Sequence, residues 1–217
     1  MQIILRQFAA LLGALTIAGA LLAQTEEEAL KDRALQELSS RLKTIPSMRA
    51  NVTQLIIESD GAVLEESSIL FVMAPPNGFY WETLDPYPEL IVTNGETLWN
   101  YQPDLEQVVV EDWDSQKMTL AAQLLSGETN ELSRSYELQW FEYSDEFKLT
   151  PRDLSDPLKL VTISFVQADL AGIFLEEKSG QKTAWIFDNV TTALHLGEDF
   201  FTFSIPSNIE VIDNSGG

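Results

Sequence analysis

Few residues in this chain are of a type and spacing that could make or break bonds. There is one histidine and no cysteine, so a zinc site, which needs several nitrogen or sulfur ligands, is not expected. His195 sits in Leu194-His195-Leu196-Gly197 with no serine or acid arranged as its partner, and reads as a loop residue. The chain has no Gly-x-Ser-x-Gly elbow, no His-Glu-x-x-His and no glycine-rich phosphate loop. Asp112-Trp113-Asp114 could begin a calcium site, but it lacks the glycine and the distal glutamate of an EF-hand loop. With 34 Asp and Glu such a pair arises by chance. The one enzymatic reading left is a hydrolase built on two carboxylates. The chain is expected to be no enzyme and to hold no cofactor and no metal.

What it has instead is aromatic and aliphatic bulk in short segments. Phe79 and Trp81 are two apart and share one face of a strand, as do Trp99 and Tyr101, and Trp185 and Phe187. Such rows either fill an ordinary core or line a cavity for an apolar ligand.

The elements that must carry these rows follow from periodicity. Leu30, Ala34, Leu38 and Leu42 recur every four residues, widened by Leu35 and Ile45, and predict an amphipathic helix over Glu26 to Ile45. Acids in its first turn suit the helix dipole, and Pro46 ends it. Short strands follow, the first at Asn51–Glu58 and Ala62–Met73 around an Asp60-Gly61 turn, with a second clear hairpin at Asn94-Gly95. Later strands are expected near Tyr136–Tyr143, Phe147–Pro151, Leu158–Val166, Gly172–Lys178, Thr183–Asn189 and Phe200–Ser204. Met118, Ala121, Ala122 and Leu125 give Ser115–Leu125 helical spacing, closed by Gly127. The pattern predicts one mainly β domain: an incomplete antiparallel barrel of about eleven strands, with helices over its open side.

Composition places the chain. Residues 1–23 have one basic residue, an uncharged apolar run from Phe8 to Leu22, and a small-residue end, the layout of a secretory signal peptide. The run is shorter than the roughly 20 residues a spanning helix needs. The expected domain is therefore residues 24–217, secreted and soluble, with a permanent N-terminal anchor as the alternative. The formal charge is −21. Phosphate backbones and anionic headgroups are bound through Lys and Arg, so nucleic acid is excluded as a partner.

Asn51-Val52-Thr53-Gln54, then Pro76-Asn77-Gly78-Phe79-Tyr80-Trp81, then the Asn94-Gly95 turn before Leu98-Trp99-Asn100-Tyr101 follow one another in an order that resembles the LolA family of periplasmic outer-membrane lipoprotein carriers. Asn51-Val52-Thr53-Gln54 resembles the family's Phe-Thr-Gln strand, with Val52 in place of the aromatic. Pro76-Asn77-Gly78-Phe79-Tyr80-Trp81 looks like its Pro-x-x-Phe-x-Trp. Ile91 to Tyr101 resembles its Asn-Gly turn followed by Leu-Trp-x-Tyr, and Asp104 to Val108 continues it. Phe147 to Pro151 and Phe201 to Pro206 also fit, so the similarity runs through essentially the whole mature chain.

The resemblance implies a half-open barrel whose hydrophobic cavity shields acyl chains. The family accepts lipoproteins from an inner-membrane ABC transporter of the LolCDE type and passes them to the receptor LolB at the outer membrane. By that carry-over Phe79, Trp81, Ile91 and Trp99 line the cavity, while Leu38, Leu42, Leu124 and Leu125 contact it from the helical lid. The protein would act as a periplasmic monomer. Two alternatives stay open: the receptor itself, which needs a lipidated cysteine where Gln24 stands, and a carrier or sensor of another amphiphile such as a glycolipid. Pro75 replaces an arginine that family members use to latch the lid, so another residue latches it here or the lid closes more weakly.

Overall fold

The computed structural model describes residues 29–45, 47–74, 78–113, 132–197 and 199–216. Twelve strands form one sheet in the order β12-β6-β5-β4-β3-β2-β1-β11-β10-β9-β8-β7. In chain order they are β1 (Met48–Ile57), β2 (Val63–Ala74), β3 (Gly78–Asp85), β4 (Glu89–Thr93), β5 (Thr97–Gln102) and β6 (Gln107–Asp112). Then come β7 (Tyr136–Phe141), β8 (Glu146–Pro151), β9 (Leu158–Val166), β10 (Asp169–Glu177), β11 (Lys182–Thr192) and β12 (Glu210–Asp213). Among the described residues the sheet is open: β7 pairs only with β8 and β12 only with β6. The middle of the sheet joins distant parts of the chain, because β1 pairs with β2 on one side and β11 on the other.

Local chemistry sets the turns. Gly61 and Gly95 both adopt φ of +92°, a conformation glycine takes without steric cost. The Asn94 side-chain oxygen accepts hydrogen bonds from the backbone N–H groups of Glu96 and Thr97, closing its hairpin. Register shifts at Arg49/Asn51 in β1 and Leu170/Gly172 in β10 bend the sheet, which is what irregularities of this kind do.

Helix α1 covers residues 29–43 among those described. Ala34, Leu38 and Leu42 are buried against the sheet, Leu38 completely. Leu30, the first member of the expected stripe, is 65% exposed, so the apolar stripe engages the sheet only from the second turn. Phe147, Leu149, Val161 and Ile163 complete this part of the core with no exposure at all. Among the described residues no helix is long and apolar enough to cross a membrane.

The expected open, mainly β sheet of about eleven strands is what forms, with twelve strands of which β12 alone pairs in parallel, with β6, and one expectation needs correction. Phe200–Ser204 is no strand; it lies across the sheet, held by ring contacts of Phe200 with Tyr80 and Phe203 with Tyr101. The expected helix at Ser115–Leu125, Pro75 and the signal segment lie outside the described residues.

Candidate functional site

Directly paired residues in an antiparallel ladder share a face, and neighbours along a strand alternate. The registers therefore assign both faces. Phe71 pairs with Trp81, Trp81 with Ile91, and Ile91 with Asn100. Val52 pairs with Phe187, and Gln54 with Trp185. These residues lie on the face that α1 covers, since Phe71, Val52 and Phe187 belong to the same core cluster as Leu38 and Leu42.

This inner face has two zones. Under α1 it is closed and tightly packed. Around β3, β4 and β11 it is half open, because Phe79, Trp81, Ile91 and Trp185 are only partly buried. Phe79 and Trp81 stack in parallel with centroids 6.3 Å apart. Both meet the fully buried Phe71 edge-on, at 5.6 and 5.9 Å. Trp81 also meets Trp185 edge-on at 6.4 Å, and Phe71 meets Phe187 at 6.0 Å. Offset and edge-to-face contacts of this kind hold rings in fixed orientation. The Trp185 indole N–H is satisfied by the Gln54 side-chain oxygen at 2.7 Å.

A polar row borders the apolar zone towards the β3–β4 and β5–β6 turns. There the Gln107 amide donates to Gln102 Oε1 at 2.8 Å, and the Gln102 amide donates to Glu89 Oε1 at 3.3 Å. The face thus passes from stacked rings to amides and a carboxylate over a few residues, a gradient that suits an amphiphile with an apolar body and a polar end. Among the described residues it places no nucleophile next to a base. Asp112 is already engaged, its carboxylate accepting the Gly216 N–H at 2.8 Å.

One side chain on α1 ties the helix to the sheet. The Arg41 guanidinium donates to Asp145 in the β7–β8 turn and to Glu37 at 2.9 Å, and lies over the rings of Trp140, Phe147 and Phe165. Burial pulls its pKa down, but the hydrogen bonds to the two carboxylates more than offset this and the net shift is upward. Two grooves of about 270 and 370 Å³ lie between α1 and β7; the larger is lined by Leu30, Leu138, Trp140 and Phe141 and bordered by the ion pairs Lys31–Glu137 and Arg33–Glu142.

The residues singled out in the sequence divide as follows. Phe79, Trp81 and Ile91 converge on the open zone, and Leu38 and Leu42 pack from α1 onto the same face. Trp99 does not join them. It pairs with Val92, which pairs with Tyr80, on the other face. Leu124 and Leu125 lie outside the described residues. Phe71, the hub of the ring cluster, was missed. It sits in Ile69-Leu70-Phe71-Val72-Met73, where residues on both faces are apolar and alternation gives no signal. Arg41 was missed as well, because its ring partners come from strands more than 95 residues away in sequence.

A family model described as outer membrane lipoprotein carrier protein LolA matches residues 43–204. An outer-membrane lipoprotein carrier protein of Chromohalobacter salexigens is 31% identical over 183 residues, covering 83% of this chain and 87% of that protein. One from Pseudomonas aeruginosa is 30% identical over 196 residues, covering 89% and 92%. Among solved structures, an uncharacterized conserved protein from Thermus thermophilus superimposes with a TM-score of 0.54 at 15% identity, covering 82% of this chain and 98% of that one, a likeness of fold alone.

Proposed function

The chain belongs to the LolA family of outer-membrane lipoprotein carrier proteins, and from that premise we propose that it shields lipoprotein acyl chains on the half-open aromatic zone of its sheet. It is a carrier and not an enzyme. It works in the periplasm, residues 1–23 being its export signal, and as a monomer. An inner-membrane ABC transporter of the LolCDE type loads it, and the outer-membrane receptor LolB unloads it.

The observation that supports this reading best is the trio of Phe79, Trp81 and Trp185, held by ring contacts to one another and to the buried Phe71 yet left only partly buried on the sheet face. At roughly 0.8 kcal/mol per methylene, three chains of about 15 methylenes cost on the order of 36 kcal/mol to expose to water. A carrier must supply apolar surface for them and needs no bond-making group. Phe79, Trp81 and Ile91 supply that surface, with Leu38 and Leu42 on the helix that packs on the same face, and Leu124 and Leu125 are the further acyl contacts of this reading. Trp99 lies on the outer face and is not among the acyl contacts.

The test is release. Residues 24–217 are added to spheroplasts that carry the host's transporter and a triacylated lipoprotein. ATP-dependent appearance of the lipoprotein in the soluble fraction is expected. Absence of release from transporter-competent spheroplasts would overturn the reading.

A further inference from the structure

Among the described residues three buried side-chain polar atoms find no hydrogen-bond partner: Asn100 Oδ1, Trp113 Nε1 and Trp140 Nε1. Buried polar atoms are nearly always paired, so each such atom calls for a physical account. Only the first is an acceptor, and only it lies in the row of Trp81 and Ile91. Asn100 stands on the inner face between Ile91 of β4 and Val109 of β6, two strand spacings or roughly 10 Å from Trp81.

Other polar side chains of this face already hold partners. Gln54 Oε1 accepts the Trp185 N–H, and Thr93 Oγ1 accepts the Gly95 N–H at 3.0 Å. Gln107, Gln102 and Glu89 are bonded to one another. Asn100 is left out of that row although Gln102, two residues along the same strand, belongs to it. Packing between Ile91 and Val109 does not call for an amide. Leucine has nearly the same shape and would leave no acceptor unpaired, which favours the free protein.

The position of Asn100 says what would pair with it. It lies between the stacked rings and the polar row, so its partner is an N–H at the junction of an apolar body and a polar end. A triacylated lipoprotein has one such group. Two of its chains are esters, which accept hydrogen bonds and donate none; the third is joined to the terminal cysteine by an amide, whose N–H donates. We infer that Asn100 Oδ1 accepts the N–H of that amide. The inference rests on the carrier reading and deepens it: Phe79, Trp81 and Ile91 hold the chains, Asn100 sets the depth of the junction, and the peptide leaves past Glu89, Gln102 and Gln107.

The experiment is calorimetric titration of the mature protein with two probes. One is a lipopeptide with three octanoyl chains and a Ser-Ser-Ser-Ser tail; the other differs only in an ester oxygen in place of the amide N–H. The wild type is expected to bind the amide about tenfold more tightly, the worth of one hydrogen bond between neutral groups. Asn100→Leu and Asn100→Ala should bind both probes alike, at the affinity of the wild type for the ester. Urea unfolding of the free protein is the second readout, in which Asn100→Leu should be no less stable than the wild type. Equal wild-type affinity for the two probes overturns the inference and leaves the carrier reading standing; an Asn100 amide turned to offer its N–H to either carbonyl would give that result. A preference for the amide that survives in both variants overturns it as well, and so does a loss of stability in Asn100→Leu. Wild-type binding of neither probe overturns the inference and the carrier reading together.

Discussion

Trp81 and Trp99 stand two strands apart on opposite faces of the same sheet. Trp81 pairs with Ile91 and looks towards α1, whereas Trp99 pairs with Val92 and lies with Tyr80 on the face crossed by Phe200 to Phe203. One tryptophan borders the half-open apolar zone, and the other belongs to the outer packing.

The two should therefore respond differently to substitution. Trp81→Glu puts a charge among the rings and is expected to reduce lipoprotein release at least tenfold with the fold retained. Trp99→Phe should cost stability of about 1 kcal/mol and leave release unchanged. Release assays and urea unfolding on both variants separate the effects. Equal loss of release in both would contradict the face assignment.

Arg41 fastens α1 to the sheet through two carboxylates and three rings. Arg41→Met leaves Asp145 without its cation, and the expected loss is about 2 kcal/mol, between the values for exposed and buried ion pairs. Adding Asp145→Asn should recover part of it. Hydrogen exchange of the α1 amides gives the second readout: exchange should quicken in α1 and not in β1 or β2.

Gly78 carries the outer strap. A methyl group at this position would lie 2.5 Å from the Phe201 ring and 2.9 Å from the Ala74 carbonyl oxygen. Gly78→Ala is expected to destabilise by about 1–3 kcal/mol, the range for overpacking. Phe201→Ala in the same chain should relieve only the ring clash, so thermal unfolding of the double variant should show less than additive loss.

Tyr80 is a titrating group on that outer face, next to Glu82. Burial, aided by a 2.8 Å hydrogen bond to Glu82, pushes its pKa up to about 12. Its folded pKa lies above its unfolded value near 10. Its contribution to stability is thus complete below pH 10 and is lost as pH rises towards 12. Tyr80→Phe should flatten stability against pH in that window, as measured by urea unfolding at several alkaline pH values. An identical alkaline decline in both proteins would show that another group is responsible.

How much of this could be read from the sequence depended on whether a pattern had one cause. The α1 stripe and the Asn94-Gly95 hairpin were legible because spacing and turn chemistry agreed. The strap was not. Phe200-Phe201-Thr202-Phe203 has strand composition, but its rings pack on Tyr80 and Tyr101 while its backbone pairs with no strand. β12 was invisible for the opposite reason: Glu210-Val211-Ile212-Asp213 is short, acidic and exposed, and exists by pairing with a strand about 100 residues earlier. Trp99 was expected on the same face as Trp81 because aromatics occur on both faces here. With Val72, Val92 and Val108 buried on the strap side, alternation cannot distinguish inside from outside.

The most direct measurement of the central claim is the native mass of the mature protein recovered from cells that co-express a triacylated lipoprotein or its unlipidated Cys→Ser form. One lipoprotein per carrier with the acylated cargo, and free carrier with the unlipidated form, is the expected result. Equal binding of both forms, or free carrier with both, would contradict the claim that this sheet carries acyl chains.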